Sequence, residues 1–233
     1  MHMATRISKT LLFFLPLALA VPSPSQAHTE DGTIGFFLTD ARGTCADLRA
    51  PSCNDESIQL AGELNTPYYA VVCVFNADDE EGVAGMSFGI DYNNATGSGV
   101  DVDSWTRCAD LGFPTDNWPE AGTGSRITWD PEGSCQREVP GDPDFGLTAM
   151  GGFFYVIAYS QDRLEIIENI DLLSGPELKI ATCEAREIDI DPVAQAGALG
   201  FSSDQSEEGV LPCLPHPKEE TTWGTIKTLY GNN

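Results

Sequence analysis

The stretch Tyr68-Tyr-Ala-Val-Val-Cys-Val-Phe75 decides the fold, because it is the most β-prone run in the chain. Side chains along a strand alternate between two sides. Here both sides are apolar: Val71, Cys73 and Phe75 lie on one, and Ala70, Val72 and Val74 on the other. A strand that is apolar on both sides is buried on both faces, so this stretch is predicted to lie in the middle of a sheet.

Further β-like runs extend outward from this stretch, separated by segments rich in Gly, Pro, Asn and Asp. They lie at 33–39, 57–60, 83–92, 100–108, 126–130, 147–159, 164–168, 177–182 and 187–190. The polar segment 76–82 resembles a hairpin connection, and no helical periodicity precedes residue 215. The sequence therefore predicts an all-β fold, an antiparallel β-sandwich of about nine strands, with a short C-terminal helical tail.

Residues 1–27 have the pattern of an export signal. Arg6 and Lys9 precede an apolar run at 11–21, which is shorter than the roughly 20 residues that a spanning helix needs. The small residues of Ser25-Gln26-Ala27 predict cleavage before His28. We therefore expect a secreted protein, extracellular, periplasmic or at the cell surface, with a sandwich domain at 28–212 and a Pro-rich linker and tail at 213–233.

The chain is strongly acidic, with 36 acidic against 12 basic residues and a formal net charge of −24. Removal of the signal would also remove Arg6 and Lys9. Such a charge repels phosphate backbones and anionic lipids, so neither nucleic acid nor membrane insertion is expected. The acidity favours solubility outside the cell or, alternatively, binding of divalent cations.

Seven cysteines in an exported chain predict disulfides. Pairing of neighbours in sequence gives Cys45–Cys53, Cys108–Cys135 and Cys183–Cys213. Cys73 is left over as a buried free thiol, since a free cysteine behaves as a small hydrophobic residue on a core strand.

Candidate ligand sites come from aromatic and acidic residues. Trp105, Trp118 and Trp129 lie close together in sequence beside acidic residues, which is typical of a carbohydrate-binding face; the alternative is that these rings fill the core. Carboxylates in loops suit calcium, and the candidates are Asp101, Asp103, Asp189 and Asp191. A solvated acidic surface is the other interpretation. The sequence indicates no cofactor other than such a structural calcium.

No catalytic residues are assigned. Gly85-Met-Ser-Phe-Gly89 matches the nucleophile-elbow motif, but Ser87 lies in a β-like run with no helix after it. Paired carboxylates for glycoside hydrolysis have too many candidates to choose among.

Four stretches have distinctive wording: Gly82-Val-Ala-Gly-Met-Ser-Phe-Gly-Ile-Asp-Tyr92, Gly97-Ser-Gly-Val-Asp-Val-Asp-Ser-Trp105, Ile127-Thr-Trp-Asp130 and the ending Thr221-Thr-Trp-Gly-Thr-Ile-Lys-Thr-Leu-Tyr230. They resemble motifs of a group of secreted bacterial proteins of uncharacterised activity. The predicted sandwich is also similar to cohesin modules at the level of the fold. These resemblances imply no catalytic residues.

The sequence therefore favours a non-enzymatic binding or assembly module for an extracellular or cell-surface protein or glycan. The alternative is a carbohydrate-active protein, either a glycan-binding module or a glycoside hydrolase.

The tail carries a testable prediction. Trp223, Ile226 and Tyr230 fall on one face of a short helix, and such helices are marginal on their own. If the tail recognises a partner, truncation after Glu220 will leave the melting temperature unchanged and abolish surface association. A melting temperature lowered by several degrees, about 1–2 kcal/mol in a domain of this size, would instead place the tail in the core.

Overall fold

A computed structural model describes residues 32–53, 55–78, 80–95, 97–137, 147–171, 175–203 and 208–212. The predicted signal, linker and tail, including Trp223, Ile226 and Tyr230, lie outside these residues. The described part forms fourteen β-strands and no helix, arranged as a sandwich of mainly antiparallel sheets. The predicted fold class is therefore confirmed, although the strands are more numerous than expected.

The strands follow the predicted runs with a few additions. Their bounds are β1 Thr33–Asp40, β2 Ala61–Gly62, β3 Pro67–Ala77, β4 Gly85–Asp91, β5 Val100–Arg107, β6 Leu111–Pro114, β7 Thr123–Thr128, β8 Leu147–Ala158, β9 Asp162–Ile167, β10 Asn169–Asp171, β11 Gly175–Glu177, β12 Lys179–Ala181, β13 Glu187–Asp189 and β14 Ala198–Phe201. The strand predicted at 57–60 is wrong, because the strand at this place is β2, Ala61–Gly62. Five short strands, β2, β6, β10, β11 and β14, were not predicted.

One sheet has four antiparallel strands in the order β1-β3-β8-β5, so β3 is central as predicted. Its two apolar sides face two different clusters. Ala70, Val72 and Val74 point into the main core between the sheets. Val71, Cys73 and Phe75 point outward into a second apolar cluster.

The opposing sheet is built around β4, which pairs with β7 on one side and with both β9 and β12 on the other. Strand β6 extends it beyond β7, β13 beyond β12, and β14 and β2 beyond β9. The main core fills the space between the sheets, and its largest fully buried side chains include Phe36, Phe88, Phe154 and Phe201.

Connections between neighbouring strands mostly cross from one sheet to the other. The segment 76–82 joins β3 in the four-stranded sheet to β4 in the opposing sheet, so the hairpin predicted there is wrong. The chain crosses again between β4 and β5, β5 and β6, β7 and β8, and β8 and β9. Apolar residues on consecutive strands therefore meet across the core rather than as hydrogen-bonded neighbours.

The second cluster is covered by residues 41–60, which we call the covering segment. Leu48, Ala50 and Ile58 from this segment pack over the outward face of the four-stranded sheet. Because both faces of β3 are apolar, the sheet needs this cover to keep its outer face out of water.

The disulfides differ from the predicted pairing of sequence neighbours. Cys45 in the covering segment bonds Cys108 at the end of β5, with 5.5 Å between Cα atoms, and Cys135 bonds Cys183. Cys53 is also disulfide-bonded. Each described bridge joins residues that lie far apart in sequence, because strands that cross between sheets bring distant loops together. Cys73 is free and fully buried, as predicted, and burial raises the pKa of its thiol.

The covering segment gives a prediction about Cys73. Replacing Cys45 and Cys108 by Ser will lower the free energy of unfolding by about 2–4 kcal/mol. It will also expose Cys73, because the bridge ties the cover to β5. Reaction of native protein with a thiol reagent will be undetectably slow in the wild type and measurable in this variant.

The matched control replaces Cys135 and Cys183 by Ser. That bridge joins loops of the opposing sheet, so the control will lose stability while Cys73 stays protected. Equal thiol reactivity in the two variants would contradict the role given to the covering segment.

Candidate functional site

A β-bulge in β5 sets which side chains face the core and which face solvent. Val102 is opposite Val156 and Ser104 is opposite Tyr155, so Asp103 between them has no partner on β8. An extra residue reverses the alternation of the strand beyond it. Trp105 therefore points inward opposite Phe154, whereas regular alternation would have turned it outward.

The three tryptophans do not form a shared exposed face. Trp129 is buried, and Trp105 and Trp118 are half-buried and pack against the main core. Trp105 lies 4.6 Å from Phe154 and 5.8 Å from Trp118 between ring centroids. This arrangement favours the packing interpretation, and glycan binding by these rings stays a prediction.

The outward face of β8 becomes more exposed along the strand. Phe153 is buried under the covering segment, Tyr155 and Ile157 are half-buried, and Tyr159 is 43% exposed. Beyond the cover, this face opens into a cavity of about 590 Å³. We call it the tyrosine–carboxylate groove; its side chains are Tyr92, Asn94, Asp101, Val102, Asp103, Glu120, Tyr155, Ile157 and Tyr159.

Two elements bring three acidic side chains to this groove. Asp101 lies on β5 opposite Ile157, and Asp103 is the bulged residue two positions on. Glu120 comes from the loop between β6 and β7 in the opposing sheet. Among the described residues, no Lys or Arg lines the groove, and none makes an ion pair with the three carboxylates.

Hydrogen bonds fix the loop that forms one wall. The Asp162 carboxylate accepts from the N–H groups of Asn93 (3.1 Å) and Val100 (2.9 Å). The N–H of Gly99 donates to the Ser160 hydroxyl at 2.7 Å. Gly99 has a positive φ of 74°, and a Cβ there would meet the Asp162 carboxylate at 2.5 Å, so this tight approach requires glycine. The wall is thus organised before any ligand arrives.

Tyr92 stands at the centre of the negative charge. Its hydroxyl donates to the carbonyl of Pro119 at 3.1 Å. Burial, together with the carboxylates of Glu120, Asp101 and Asp91, raises the pKa of Tyr92. The phenol therefore stays neutral at physiological pH and keeps its proton as a hydrogen-bond donor.

The four aspartates predicted as calcium ligands do not converge. Asp101 and Asp103 reach the groove, whereas Asp189 lies on β13 in the opposing sheet, 3.8 Å from the Lys179 ammonium. Asp191 accepts from the N–H groups that follow it in a turn, those of Val193 (2.8 Å) and Ala194. The described residues contain no group of three or more His, Cys, Asp and Glu side chains placed to hold a metal ion. Calcium binding stays a prediction.

Ser87 belongs to a second, structural polar cluster on the outer side of β4. Its hydroxyl donates to Glu177 at 2.7 Å and accepts from the Asn169 amide at 3.1 Å, while Arg126 pairs with Glu177. Ser87 lies inside a strand rather than at a turn before a helix, so the elbow geometry is absent. These contacts hold the β10–β11 hairpin against the sheet.

Sequence reasoning missed Tyr92, Tyr155, Tyr159 and Glu120. The spacing of Tyr155, Ile157 and Tyr159 at every second position of a strand is the one signal that marked an outward face. The apolar residues before Tyr155 obscured this alternation in the sequence. Phe153 and Phe154 are both apolar although they face opposite clusters, so the outward side could not be recognised.

These features define an acidic, disulfide-linked β-sandwich with an open groove at one end of its smaller sheet. No protein-family model matches the chain, and no curated protein matches its sequence. Among solved structures, the chain is similar to a cohesin module from a family 33 glycoside hydrolase of Clostridium perfringens, at 8% identity and a TM-score of 0.42. The match covers 73% of this chain and 96% of that module. A similarity this low says nothing about the groove.

Within the described residues, no helix has the length and hydrophobicity that crossing a bilayer would require.

The Ser87 cluster gives a pH-dependent prediction. Burial would raise the pKa of Glu177, but hydrogen bonds from Arg126 and Ser87 outweigh it and lower the pKa. A carboxylate with a lowered pKa stabilises the fold above its unfolded pKa of about 4.3 and loses that effect as the pH falls through its folded pKa. Glu177→Gln will therefore cost about 1–3 kcal/mol at neutral pH, and the difference from wild type will shrink below about pH 4.

Urea unfolding at neutral and acidic pH measures this difference. The control is Glu168→Gln, since Glu168 is exposed and will show little effect at either pH. A difference that stays constant down to acidic pH would rule out the charged form of Glu177 as the cause.

Proposed function

We propose that the protein is an exported, non-enzymatic binding module that holds an extracellular protein or glycan in the tyrosine–carboxylate groove. The observation that carries this proposal is the groove itself: three tyrosine rings and three carboxylates facing one open cavity of about 590 Å³. Ligand sites commonly have this size and combine apolar walls with a few oriented polar groups.

Rigidity of the groove supports a binding role. The disulfide between Cys45 and Cys108 fixes the cover beside it, and the hydrogen bonds of Asp162 and Ser160 fix its wall. A ligand entering a preformed groove loses less free energy to ordering of the protein. Tyrosine suits such a surface because it offers a large contact area with few rotatable bonds and a polar tip.

The placement of the candidate nucleophile supports a non-enzymatic role. Ser87 donates its hydrogen bond to a carboxylate whose pKa is lowered by its partners, which makes Glu177 a weak base. Two disulfides among the described residues fit an oxidising environment such as the cell exterior.

Single substitutions in the groove will test the proposal. The chain from His28 to Asn233 is probed on a glycan array and against a displayed library of random peptides. Wild type will select ligands, and Tyr159→Ala will weaken them about tenfold, since a central aromatic anchor contributes above 1 kcal/mol. Tyr159 is 43% exposed, so its removal will leave the fold intact.

Phe113→Ala is the matched control, because Phe113 is an aromatic residue that is 58% exposed on β6, away from the groove. It will keep the affinity of wild type. Ligands that bind Tyr159→Ala and Tyr155→Leu as tightly as wild type would place the site elsewhere. Turnover of a polysaccharide or chromogenic glycoside by the pure protein would favour the carbohydrate-active enzyme instead.

A further inference from the structure

We infer that the tyrosine–carboxylate groove recognises a lysine or arginine side chain presented by a basic segment of a partner protein. This inference rests on the proposed function and specifies the chemistry of its ligand. It follows from the charges that line the groove, the rings that flank them and the elements that bring both together.

The charges in the groove have no counterion among the described residues. Asp101, Asp103 and Glu120 face the cavity without a described cationic partner, although ion pairs form elsewhere, as between Lys179 and Glu187 at 3.0 Å. A cation that enters the cavity is attracted by carboxylates from β5 and from the β6–β7 loop. A neutral glycan would gain nothing from this attraction.

Some of the acidic residues in the groove could serve only to protect the edge of the sheet from pairing with another chain, but not all of them. Strand β5 is the edge of the four-stranded sheet, and acidic side chains on an edge strand discourage pairing with another chain. Asp101 and Asp103 fit that role. Glu120 does not, because it reaches the same cavity from a loop of the opposing sheet.

The tyrosines select the kind of cation. Tyr92, Tyr155 and Tyr159 line the groove. The face of a tyrosine ring carries the negative side of an aromatic quadrupole, which attracts ammonium and guanidinium groups within about 6 Å of the ring centre. Neutral phenols are poor ligands for a small hard cation, which prefers several carboxylate and carbonyl oxygens around it. The apolar stem of lysine or arginine would also pack on Val102 and Ile157, while its charged end meets the carboxylates.

A peptide array tests the inference. The chain from His28 to Asn233 is bound to random nonapeptides at about 0.15 M ionic strength, where charges more than about 8 Å apart are largely screened. The selected peptides will contain Lys or Arg. Replacing that residue by acetyl-lysine or citrulline, which are neutral and similar in shape, will weaken binding at least about tenfold.

Two charge-matched variants separate groove binding from general attraction to an acidic protein. The groove variant carries Asp101→Asn, Asp103→Asn and Glu120→Gln. The control carries Glu56→Gln, Glu132→Gln and Glu168→Gln, all exposed and outside the groove. We expect the groove variant to lose about tenfold or more in affinity and the control to lose less than about twofold.

Four results would overturn the inference. Equal losses in the two variants would mean non-specific charge attraction, and tight binding of neutral analogues would mean that charge is not recognised. Selection of neutral glycans or neutral peptides that depend on Tyr159 would overturn the basic-ligand inference and leave the binding module intact. Binding insensitive to Tyr155, Tyr159 and all three carboxylates would overturn both.

Discussion

The four-stranded sheet is apolar on both faces, and the rest of the molecule is arranged to satisfy that constraint. One face closes against the opposing sheet around Phe88 and Phe154. The other would present Val71, Phe75 and Phe153 to water, so it needs a cover. Burial of apolar area is the dominant favourable term in folding, which explains why a segment without regular structure is tied across this face by a disulfide.

The same constraint locates the groove. The cover protects the face of β8 as far as Phe153, and beyond it the outward positions are taken by Tyr155, Ile157 and Tyr159. Tyrosine tolerates a half-wet position because its ring packs while its hydroxyl stays hydrated. The groove therefore lies where the covering segment ends and the outward face of β8 changes from apolar residues to tyrosines. The neighbouring edge strand, β5, adds Asp101 and Asp103.

The sequence revealed the features that depend on local alternation, and missed those that depend on one extra residue or on long-range topology. The alternation at 68–75 correctly predicted a buried central strand. The bulge at Asp103 leaves no mark in composition, yet it turns Trp105 from solvent to core. Disulfide pairing failed for a related reason: consecutive strands enter different sheets, so loops such as those of Cys135 and Cys183 meet although their residues lie 48 positions apart. The groove draws on β5, β8 and the β6–β7 loop, which no local pattern connects.

The overall charge of the chain and the local charge of the groove act at different distances. A net charge of −24 attracts any basic partner from afar and raises the rate of encounter, but salt screens it over about 8–10 Å and it cannot choose among cations. Selection needs groups in contact with the ligand, where charge and ring surfaces are arranged to complement it; Asp101 is half-buried there, while Asp103 and Glu120 are exposed at the rim. Glu120 distinguishes the long-range effect from the local one. Its loss would change the net charge of the chain by only one unit, but it would remove the carboxylate that the opposing sheet contributes to the groove. An acidic surface becomes a selective site only where the fold brings charge from both sheets onto one set of rings.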